Sequence, residues 1–376
     1  MSLTVNIAKD DFLEGLAQVQ NVTGKKGTMA ILSNVLLQTA DNELVMTATD
    51  LEVGIRYKIQ AEILSPGTIT LPARKIFELV RVADADFIKL EEKENNWVGF
   101  KASKTNCNLA GMEADEFPAF PEYNQENMFD INSEVMKDLI EKTIFSVAHE
   151  GDSQFNLTGV LIEKEVREER SYLRMISSDG HRLTVMEREI GSESNAITID
   201  KNTIIPKKGL QEIKKFCDLN DKFSIGFEKN QTVIKTDKSL LIIRLMNKDF
   251  PDYRNILTVI NKEQFFLIDK NNFLNAMKIM NIFSENQVNA VKFEIFDNVI
   301  TVTSENSDIG SAKEEIEIKY EGESLSLGFN CNFFIETLQV MNGDLIKVYI
   351  STEDNPCLIE STEDDGFVSI IMPMKL

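Results

Sequence analysis

The sequence predicts an α+β protein made of three tandem copies of one folding unit, each with two helices packed on antiparallel sheets. Two observations support this prediction. Four landmarks recur in the same order at spacings near one third of the chain, and alternating apolar runs typical of strands lie between them. With 376 residues, 43% of them apolar, the chain is also too long for one ordinary domain.

The first landmark is an amphipathic helix with apolar residues at i, i+1 and i+4. The pattern is read at Phe12, Leu13 and Leu16, at Val135, Met136 and Leu139, and at Phe273, Leu274 and Met277, with separations of 123 and 138 residues. Polar residues before each helix are expected to cap its free N–H groups. They are Asp10 and Asp11, Asn132 and Ser133, and Asn271 and Asn272.

The second landmark is the end of a strand pair, where Thr49, Ser178 and Ser304 stand 129 and 126 residues apart. The third is another helix, in which Glu78, Glu212 and Glu336 share one register at spacings of 134 and 124. In its first two copies, Pro72 and Pro206 sit near the helix start, where a missing N–H costs least.

The fourth landmark is a proline-containing terminator, FPAFPEY at 117 and FPDYRNI at 250, which cannot continue regular structure. We therefore predict three domains, at residues 1–124, 128–254 and 262–376. The middle unit carries EKEVREER at 163–170, which predicts a longer hairpin there. The alternative, chance similarity between amphipathic helices, accounts for one landmark more easily than for four in the same order.

Composition narrows the class of protein. The N-terminus has no apolar run of signal-peptide length after a basic start, and no stretch approaches the ~18 apolar residues of a membrane span. We therefore expect a soluble, cytoplasmic protein with no membrane partner. Four scattered cysteines and two histidines offer too few well-spaced zinc ligands, so free thiols, no metal and no cofactor are expected.

The net charge of −21 argues at first against a nucleic-acid partner, because phosphate contacts come from clustered Lys and Arg. The distribution of charge can override the total. A strongly acidic outer surface repels DNA everywhere except where basic residues are concentrated. Such a surface suits a protein that moves along DNA without sticking to it.

Five motifs carry a family resemblance: TATDLE at 47–52, LPARKIFEL at 71–79, SSDGHRL at 177–183, FPDYR at 250–254 and IMPMKL at 371–376. In this order they closely resemble the bacterial sliding clamps, the β subunits of replicative DNA polymerase III, along essentially the whole chain. The resemblance implies three DNA-clamp domains per chain. It implies a non-catalytic processivity factor that encircles duplex DNA without sequence specificity and tethers proteins carrying clamp-binding peptides, among them the clamp loader and replicative and repair polymerases.

The resemblance also implies a homodimer in which two chains close head to tail into a ring of six domains, so that no free sheet edge remains. An apolar centre with charged surroundings is expected at the contact. The residues implied on the first domain are Lys75, Lys104, Cys107 and Leu109, and those on the third are Ile282, Phe283, Glu314 and Glu315.

The helices of the ring are implied to face the duplex, and their basic residues fit loose, sequence-independent phosphate contact because no aromatic platform is interleaved with them. The residues implied to face DNA are Lys25, Lys26, Arg74, Gln154, Phe155, Lys207 and Lys208. For each lysine the alternative is an ordinary solvated helix face.

Clamp-binding peptides are implied to enter a hydrophobic pocket between the second and third domains and the end of the chain. Its residues are Leu157, Ser178, Gly180, His181, Arg182, Leu183, Pro251, Ile256, Ile370, Met372, Pro373, Met374 and Leu376. Flexible methionines suit a site that accepts several peptides. The alternatives are a frayed tail and methionines that only fill the core.

An enzyme is the competing class of function. Ser178, Asp179 and His181 are too close in sequence to be assumed a catalytic relay, and neither a GxSxG elbow nor a glycine-rich phosphate loop is present. Carboxylates could hold magnesium for a nuclease, but most of the 61 acidic residues must be solvated. A third class, a scaffold that binds only proteins, would share the methionine-rich pocket but would not retain DNA.

Overall fold

The computed structural model describes the chain except for Met1, residues 25–28, Glu126, Glu150, and residues 152–156, 192–193, 195–196, 285–288, 353 and 376. The chain divides into two compact units, Met1–Asp130 with Lys222–Leu245 and Ile131–Asp221 with Met246–Leu376. The helices and strands nevertheless repeat by thirds of the sequence, and each third is listed in turn.

The first third contains two helices, α1 (Lys9–Val19) and α2 (Ala73–Val82). Its strands are β1 (Thr4–Ala8), β2 (Asn34–Ala40), β3 (Glu43–Thr49), β4 (Val53–Gln60), β5 (Glu62–Ser65), β6 (Thr68–Pro72), β7 (Phe87–Glu92), β8 (Trp97–Ala102) and β9 (Thr105–Ala110).

The middle third contains α3 (Ser133–Glu141) and α4 (Lys207–Cys217). Its strands are β10 (Met128–Asn132), β11 (Gly159–Arg167), β12 (Arg170–Ser178), β13 (Arg182–Ile190), β14 (Thr203–Pro206), β15 (Lys222–Phe227), β16 (Gln231–Lys235) and β17 (Ser239–Arg244).

The last third follows a short helix, α5 (Arg254–Thr258), and contains α6 (Lys270–Ile282) and α7 (Cys331–Val340). Its strands are β18 (Phe265–Asp269), β19 (Ala290–Phe296), β20 (Val299–Asn306), β21 (Gly310–Glu317), β22 (Lys319–Tyr320), β23 (Leu325–Asn330), β24 (Leu345–Tyr349), β25 (Cys357–Glu360) and β26 (Phe367–Ile371).

Sheets run across the junctions between thirds. An eight-stranded sheet has the order β10-β15-β16-β17-β4-β3-β2-β6, and a nine-stranded sheet has the order β14-β11-β12-β13-β26-β25-β24-β18-β22. The last strand of the middle third, β17, therefore pairs antiparallel with β4, the fourth strand of the first third. In the same way, the last strand of the last third, β26, pairs with β13, the fourth strand of the middle third. Two further sheets, β5-β1-β7-β8-β9 and β21-β20-β19-β23, each lie within one third.

Each third has a pair of helices packed together, α1 with α2, α3 with α4 and α6 with α7. The fourth residue of the first helix in each pair is fully buried: Phe12, Met136 and Phe273. The three-unit α+β architecture predicted from the repeats is confirmed. The predicted alignment of the first helices is one residue out, because the structural equivalent of Phe12 is Met136, whereas Val135 is only half-buried.

The predicted helix caps are correct for one helix of three. Asn132 caps α3 by accepting from Glu134 N at 2.7 Å. The cap of α6 is Asp269, two residues before the predicted Asn271, and it accepts from Asn272 N at 2.8 Å. Helix α1 starts after Ala8 without a side-chain cap, so Asp10 and Asp11 lie in its first turn, where their charge favours the helix dipole.

The strand-pair landmark also needs a correction in the last third. Asp50 and Asp179 each use Oδ1 to accept two backbone N–H bonds from the turn after the strand, at 2.8–3.0 Å. Asn306 makes the same turn with Asp308 N and Ile309 N. The residue equivalent to Ser178 is therefore Glu305, and Ser304 is equivalent to Ser177.

The other landmarks fit the structure more closely. Glu78, Glu212 and Glu336 occupy the sixth residue of α2, α4 and α7, and Pro72 and Pro206 are the N-cap residues of the first two. Residues 117–124, which the structure describes in full, form no helix or strand, whereas FPDYRNI runs into α5 after Tyr253.

The long middle hairpin is present as predicted, with nine residues in each strand. Its two turn residues, Glu168 and Glu169, both have positive φ, at 48° and 68°. This is the geometry of a tight two-residue hairpin turn, which matches the twist of the flanking strands.

The cysteines are free, with Cys217, Cys331 and Cys357 buried and Cys107 half-buried. In the described part of the chain, none of the helices combines the length and apolarity that crossing a bilayer requires.

Candidate functional site

An apolar cluster on one face of the nine-stranded sheet brings together residues from both sides of the β13–β26 junction. Three predicted pocket residues, Leu183, Ile256 and Ile370, belong to it. Leu183 and Ile370 are paired across the junction, and Ile256 reaches the cluster from α5. The remaining members include half-buried side chains at its margin: Leu161, Ile176, Val185, Ile204, Met246, Phe250, Tyr253, Leu257, Ile260, Phe265, Tyr349, Leu358 and Val368.

The turn that carries Ser178, Gly180 and His181 lies at the end of this junction. Ser178 Oγ donates to Arg182 O at 2.6 Å and accepts from Gly180 N at 3.1 Å. Gly180 has φ +94°, a conformation that side chains disfavour. Because Ser178 is committed to the backbone of its own turn and His181 N bonds to Asp179, these residues form a structural turn with no relay geometry.

The C-terminal segment is anchored rather than frayed. Met372 N donates to His181 O at 2.9 Å, and Met374 N donates to Gly328 O at 2.9 Å. Met372 is 40% exposed, and Pro373 and Met374 are half-buried. The tail thus presents Met372 beside the 178–182 turn while its backbone is held, which favours a docking surface over an unstructured end. Leu376 lies outside the described residues.

Arg182 is buried, although it was predicted as a pocket contact. Its Nε lies 2.9 Å from Asp179 Oδ2 and its Nη2 donates to Phe145 O at 2.8 Å. The guanidinium stacks near the ring of Phe333, 4.6 Å from its centroid, and its Nη1 lies 2.5 Å from Glu336 on α7. Its ion pairs and ring contacts therefore hold the junction together from inside.

The other predicted pocket residues occupy mixed positions. Leu157 is buried, and its carbonyl accepts from Ala148 N at 3.0 Å. Pro251 is exposed in the segment that leads into α5. The sequence did not single out Tyr253, Leu161 and Ile176 as members of this cluster. Tyr253 could have been found from its place in the FPDYR motif. Leu161 and Ile176 could have been found from their strand patterns, since they pair across β11 and β12.

The basic residues predicted to face DNA lie at the start of the second helices. Arg74 and Lys208 are exposed at the second residue of α2 and α4, and Lys207 is half-buried at the first. A cation at a helix N-terminus opposes the helix dipole, so these residues are poorly placed for helix stability. This position favours a role in binding. Lys25, Lys26, Gln154 and Phe155 lie outside the described residues.

Other lysines on these helices are paired with carboxylates of the same chain. Lys75 lies 2.9 Å from Glu78, Lys214 lies 2.8 Å from Glu141, and Lys215 lies 2.7 Å from Glu212. These pairs partly neutralise the positive charge of α2 and α4. The second residue of α7 is Asn332, so the last third lacks an equivalent cation.

The residues predicted at a chain–chain contact lie on two sheet edges. Cys107 and Leu109 belong to β9, at one edge of the five-stranded sheet, and Glu314 and Glu315 belong to β21, at one edge of the four-stranded sheet. Ile282 ends α6 and is 66% exposed. Lys104 is exposed in the turn before β9, and Phe283 is half-buried.

No cluster of three or more His, Cys, Asp or Glu side chains suited to a metal ion occurs among the residues that the structure describes.

Comparison with known proteins identifies the three thirds. Residues 1–121, 130–252 and 259–375 match the family models for the N-terminal, central and C-terminal domains of the DNA polymerase III beta subunit. The beta sliding clamp of Haemophilus influenzae is 29% identical over 383 residues, covering 99% of both chains. That of Escherichia coli K12 is 27% identical over 372 residues, covering 98% of this chain and 99% of its own.

Solved structures agree with the sequence matches. The beta sliding clamp of Caulobacter crescentus superposes with a TM-score of 0.93 at 25% identity, and the DNA polymerase sliding clamp of Pseudomonas aeruginosa with 0.89 at 26%. Both alignments cover 100% of both chains. The chain belongs to the DNA polymerase III beta subunit family.

Proposed function

We propose that two copies of this chain close head to tail into a ring that encircles duplex DNA and holds polymerases on it through the apolar cluster and the C-terminal segment. As a beta sliding clamp, the chain is a non-catalytic subunit of DNA polymerase III that serves processivity in DNA replication. We place this function in the cytoplasm, where bacterial chromosomes are copied.

The observation that carries the ring proposal is the way in which the thirds already join within one chain. At each internal junction, the last strand of one third pairs with an equivalent strand of the preceding third, as β17 does with β4 and β26 with β13. The last strand of the first third, β9, lies at a sheet edge, and so does β21, the strand of the last third that is equivalent to β4 and β13. Pairing β9 of one copy with β21 of another repeats the same junction and removes both edges.

The two internal junctions share one register, which predicts the register between copies. Leu241 pairs with Ile55 at the first, and Ser369 pairs with Thr184 at the second. Strand pairing within each third makes Cys107 the equivalent of Leu241 and Ser369, and makes Ala312 the equivalent of Ile55 and Thr184. Cys107 of one copy should therefore stand opposite Ala312 of the other.

This register can be tested with a single substitution, because one partner is already a cysteine. Residues directly opposite in an antiparallel pair have Cα atoms about 4.5–5.5 Å apart, within the range that a disulfide spans. We expect A312C to form a covalent dimer with native Cys107 under mild oxidation. The neighbouring variant K313C points to the other face of β21 and should stay monomeric on a non-reducing gel.

Two further measurements decide the proposal. C107S/A312C should lose the crosslink. A312C that is loaded in the reduced state by the clamp loader and then oxidised should stay on nicked circular DNA and leave linear DNA with free ends. Sizing experiments that show a monomer at all concentrations would contradict ring closure. Equal loss of the protein from circular and linear DNA would contradict it as well. A scaffold that binds only proteins would show no retention on either DNA.

DNA contact in the ring should be weak and independent of sequence. The net charge of −21 opposes binding, and the cations at the starts of α2 and α4 neutralise only a few phosphates at once. We propose Arg74, Lys207 and Lys208 as contacts, together with Lys25, Lys26, Gln154 and Phe155. Binding should weaken as salt rises, and K208A should reduce the salt slope. Tight, salt-resistant binding to one sequence would overturn this part.

The peptide site is proposed at the apolar cluster, the 178–182 turn and Met372–Leu376. The anchored tail is its strongest support, since Met372 N donates to His181 O in the 178–182 turn and Met374 N donates to Gly328 O. Deleting Met372–Leu376 should abolish binding of a polymerase-derived peptide while the dimer persists. Unchanged peptide affinity in the deletion variant would show that the site lies elsewhere.

A further inference from the structure

Residues 250–258, here called the linker segment, are tied to the nine-stranded sheet through one carboxylate, that of Glu163 on β11. Tyr253 Oη donates to Glu163 Oε2 at 2.6 Å, and Arg254 Nη2 donates to the same oxygen at 2.8 Å. Tyr253 is only 2% exposed and Glu163 is half-buried. Hydrogen bonds to an ionised acceptor are about twice as strong as neutral ones, and here one carboxylate accepts two of them.

The rest of the linker segment is organised around Tyr253. Its carbonyl accepts from Ile256 N at 3.1 Å and from Leu257 N at 3.4 Å, which starts α5. Asn255 bonds to Asp252 at 2.9 Å, within the segment itself. Because these bonds all lie within the linker segment, the position of α5 relative to the sheet depends on the position of Tyr253.

The ring of Tyr253 links this polar anchor to the apolar cluster. It packs among Leu183 and Ile370, and it meets Phe250 edge-on with the ring centroids 6.4 Å apart. Burial and the bond to Glu163 raise the pKa of Tyr253, so its hydroxyl remains a donor at neutral pH. Tyr253 thus has one end in the apolar cluster and the other on Glu163, beside the guanidinium of Arg174.

The sheet side of the anchor is rigid as well. Arg174 is paired with Glu163 across β11 and β12, and its guanidinium donates to Glu187 at 2.7 and 3.0 Å. Two arginines thus neighbour Glu163: Arg174 is its cross-strand partner, and Arg254 donates a hydrogen bond to its carboxylate.

We propose that Glu163 is a positioning residue for the peptide site: it fixes Tyr253, and through Tyr253 the side of the apolar cluster that Phe250, Ile256 and Leu257 supply. Glu163 itself does not contact the peptide. The inference rests on the proposed peptide site and adds a residue whose effect is carried through the linker segment.

The test measures the Kd of a fluorescently labelled peptide that carries a clamp-binding sequence from the same organism's replicative polymerase. E163A and Y253F should each weaken binding on the order of tenfold, the effect of losing one hydrogen bond to a charged group. E163Q keeps an oxygen that accepts from Tyr253 and should recover most of the affinity. The loss in E163A/Y253F should be smaller than the sum of the two single losses, because both changes break the bond between Tyr253 and Glu163.

The matched control is E165A, two residues further along β11 on the same face. Glu165 pairs with Arg167 at 2.7 Å and also contacts Arg174, and Arg174 keeps its two bonds to Glu187 when Glu165 is removed. E165A should therefore bind the peptide as the unmodified chain does. If the variants acted only by lowering the stability of the protein, E163Q would weaken binding as much as E163A does. The positioning role instead predicts that E163Q binds the peptide more tightly than E163A.

The outcomes separate this inference from the proposed function. If deletion of Met372–Leu376 abolishes binding but E163A binds like the unmodified chain, Glu163 has no positioning role and the peptide site stands. Additive losses in E163A/Y253F would equally overturn the positioning role. If the deletion variant itself binds normally, the peptide site is wrong.

Discussion

Arg182 and Glu336 form an ion pair between β13 and α7, with Arg182 Nη1 2.5 Å from Glu336 Oε2. The arginine side chain is 6% exposed and the glutamate 44%. The pair joins the middle and last thirds of the chain directly beside the C-terminal segment. We therefore expect a change at this position to alter both stability and binding at the proposed peptide site.

The first prediction concerns that coupling. R182A leaves Asp179 without its partner and empties the space between Phe145 and Phe333, so we expect a loss of roughly 3 kcal/mol in the free energy of unfolding. R170A, which removes an exposed pair with Glu189, should cost less than about 0.5 kcal/mol. Urea unfolding followed by circular dichroism measures both. Equal midpoints for the two variants would show that Arg182 is an ordinary pocket residue.

The second prediction concerns a buried ion pair at the same junction. Lys142 contacts Asp364, and the two side chains are 4% and 0% exposed. Asp364 also accepts from Asn342 N at 2.9 Å. D364A should cost about 3–5 kcal/mol because it leaves a buried ammonium group with only Asp138 nearby, whereas K142M/D364L should lie much closer to the unmodified chain. A double variant as unstable as D364A would contradict this account.

The third prediction concerns acid unfolding. Burial alone would raise the pKa of Glu187, but hydrogen bonds from Arg167 and Arg174 outweigh it and hold that pKa below its ordinary value of 4.5. The stability from this carboxylate is therefore present above about pH 4.5 and is lost as the pH falls through the lower folded-state value. E187Q should flatten the fall in unfolding free energy below pH 4.5, whereas E189Q, on the exposed pair, should keep the original slope.

The fourth prediction concerns thiol reactivity. Burial raises the pKa of Cys217 to about 12 and also raises the pKa of Cys331 and Cys357. Because the thiolate is the nucleophile, iodoacetamide should label half-buried Cys107 first. Labelling of Cys107 should slow as protein concentration rises and β9 becomes covered. Peptide mass spectrometry follows each site, and equal labelling of Cys217 would argue against the burial described.

Much of the fold could be predicted because it is repeated in short-range patterns. The register of Glu78, Glu212 and Glu336 was correct, since helical period and a proline at the start fix a helix locally. Errors of one residue occurred at Val135 and Ser304. A sequence pattern does not distinguish adjacent positions at these two places. Only the burial of Met136 and the turn at Asn306 identify the equivalent residues.

The candidate site was predicted unevenly for the same reason. Leu183, Ile256 and Ile370 meet in one cluster, as the family resemblance implied. Arg182 was predicted as a pocket residue, and its side chain is buried. Its partner Glu336 lies more than a hundred residues away in sequence, so no local pattern predicted their ion pair. Glu163 was not singled out at all. It lies on a hairpin rich in charged residues, and nothing in the local sequence indicates its hydrogen bond to Tyr253, 90 residues further along the chain.

The sequence by itself determined the number of units, the order of their helices and strands, and the family, because these depend on periodicity and motifs along the chain. Only the tertiary structure decided which strand edges pair, which remain open at β9 and β21, and which carboxylate holds Tyr253. Those features depend on contacts between residues far apart in sequence. Their pairing is selected by burial and by hydrogen bonding, and a linear pattern does not contain that information.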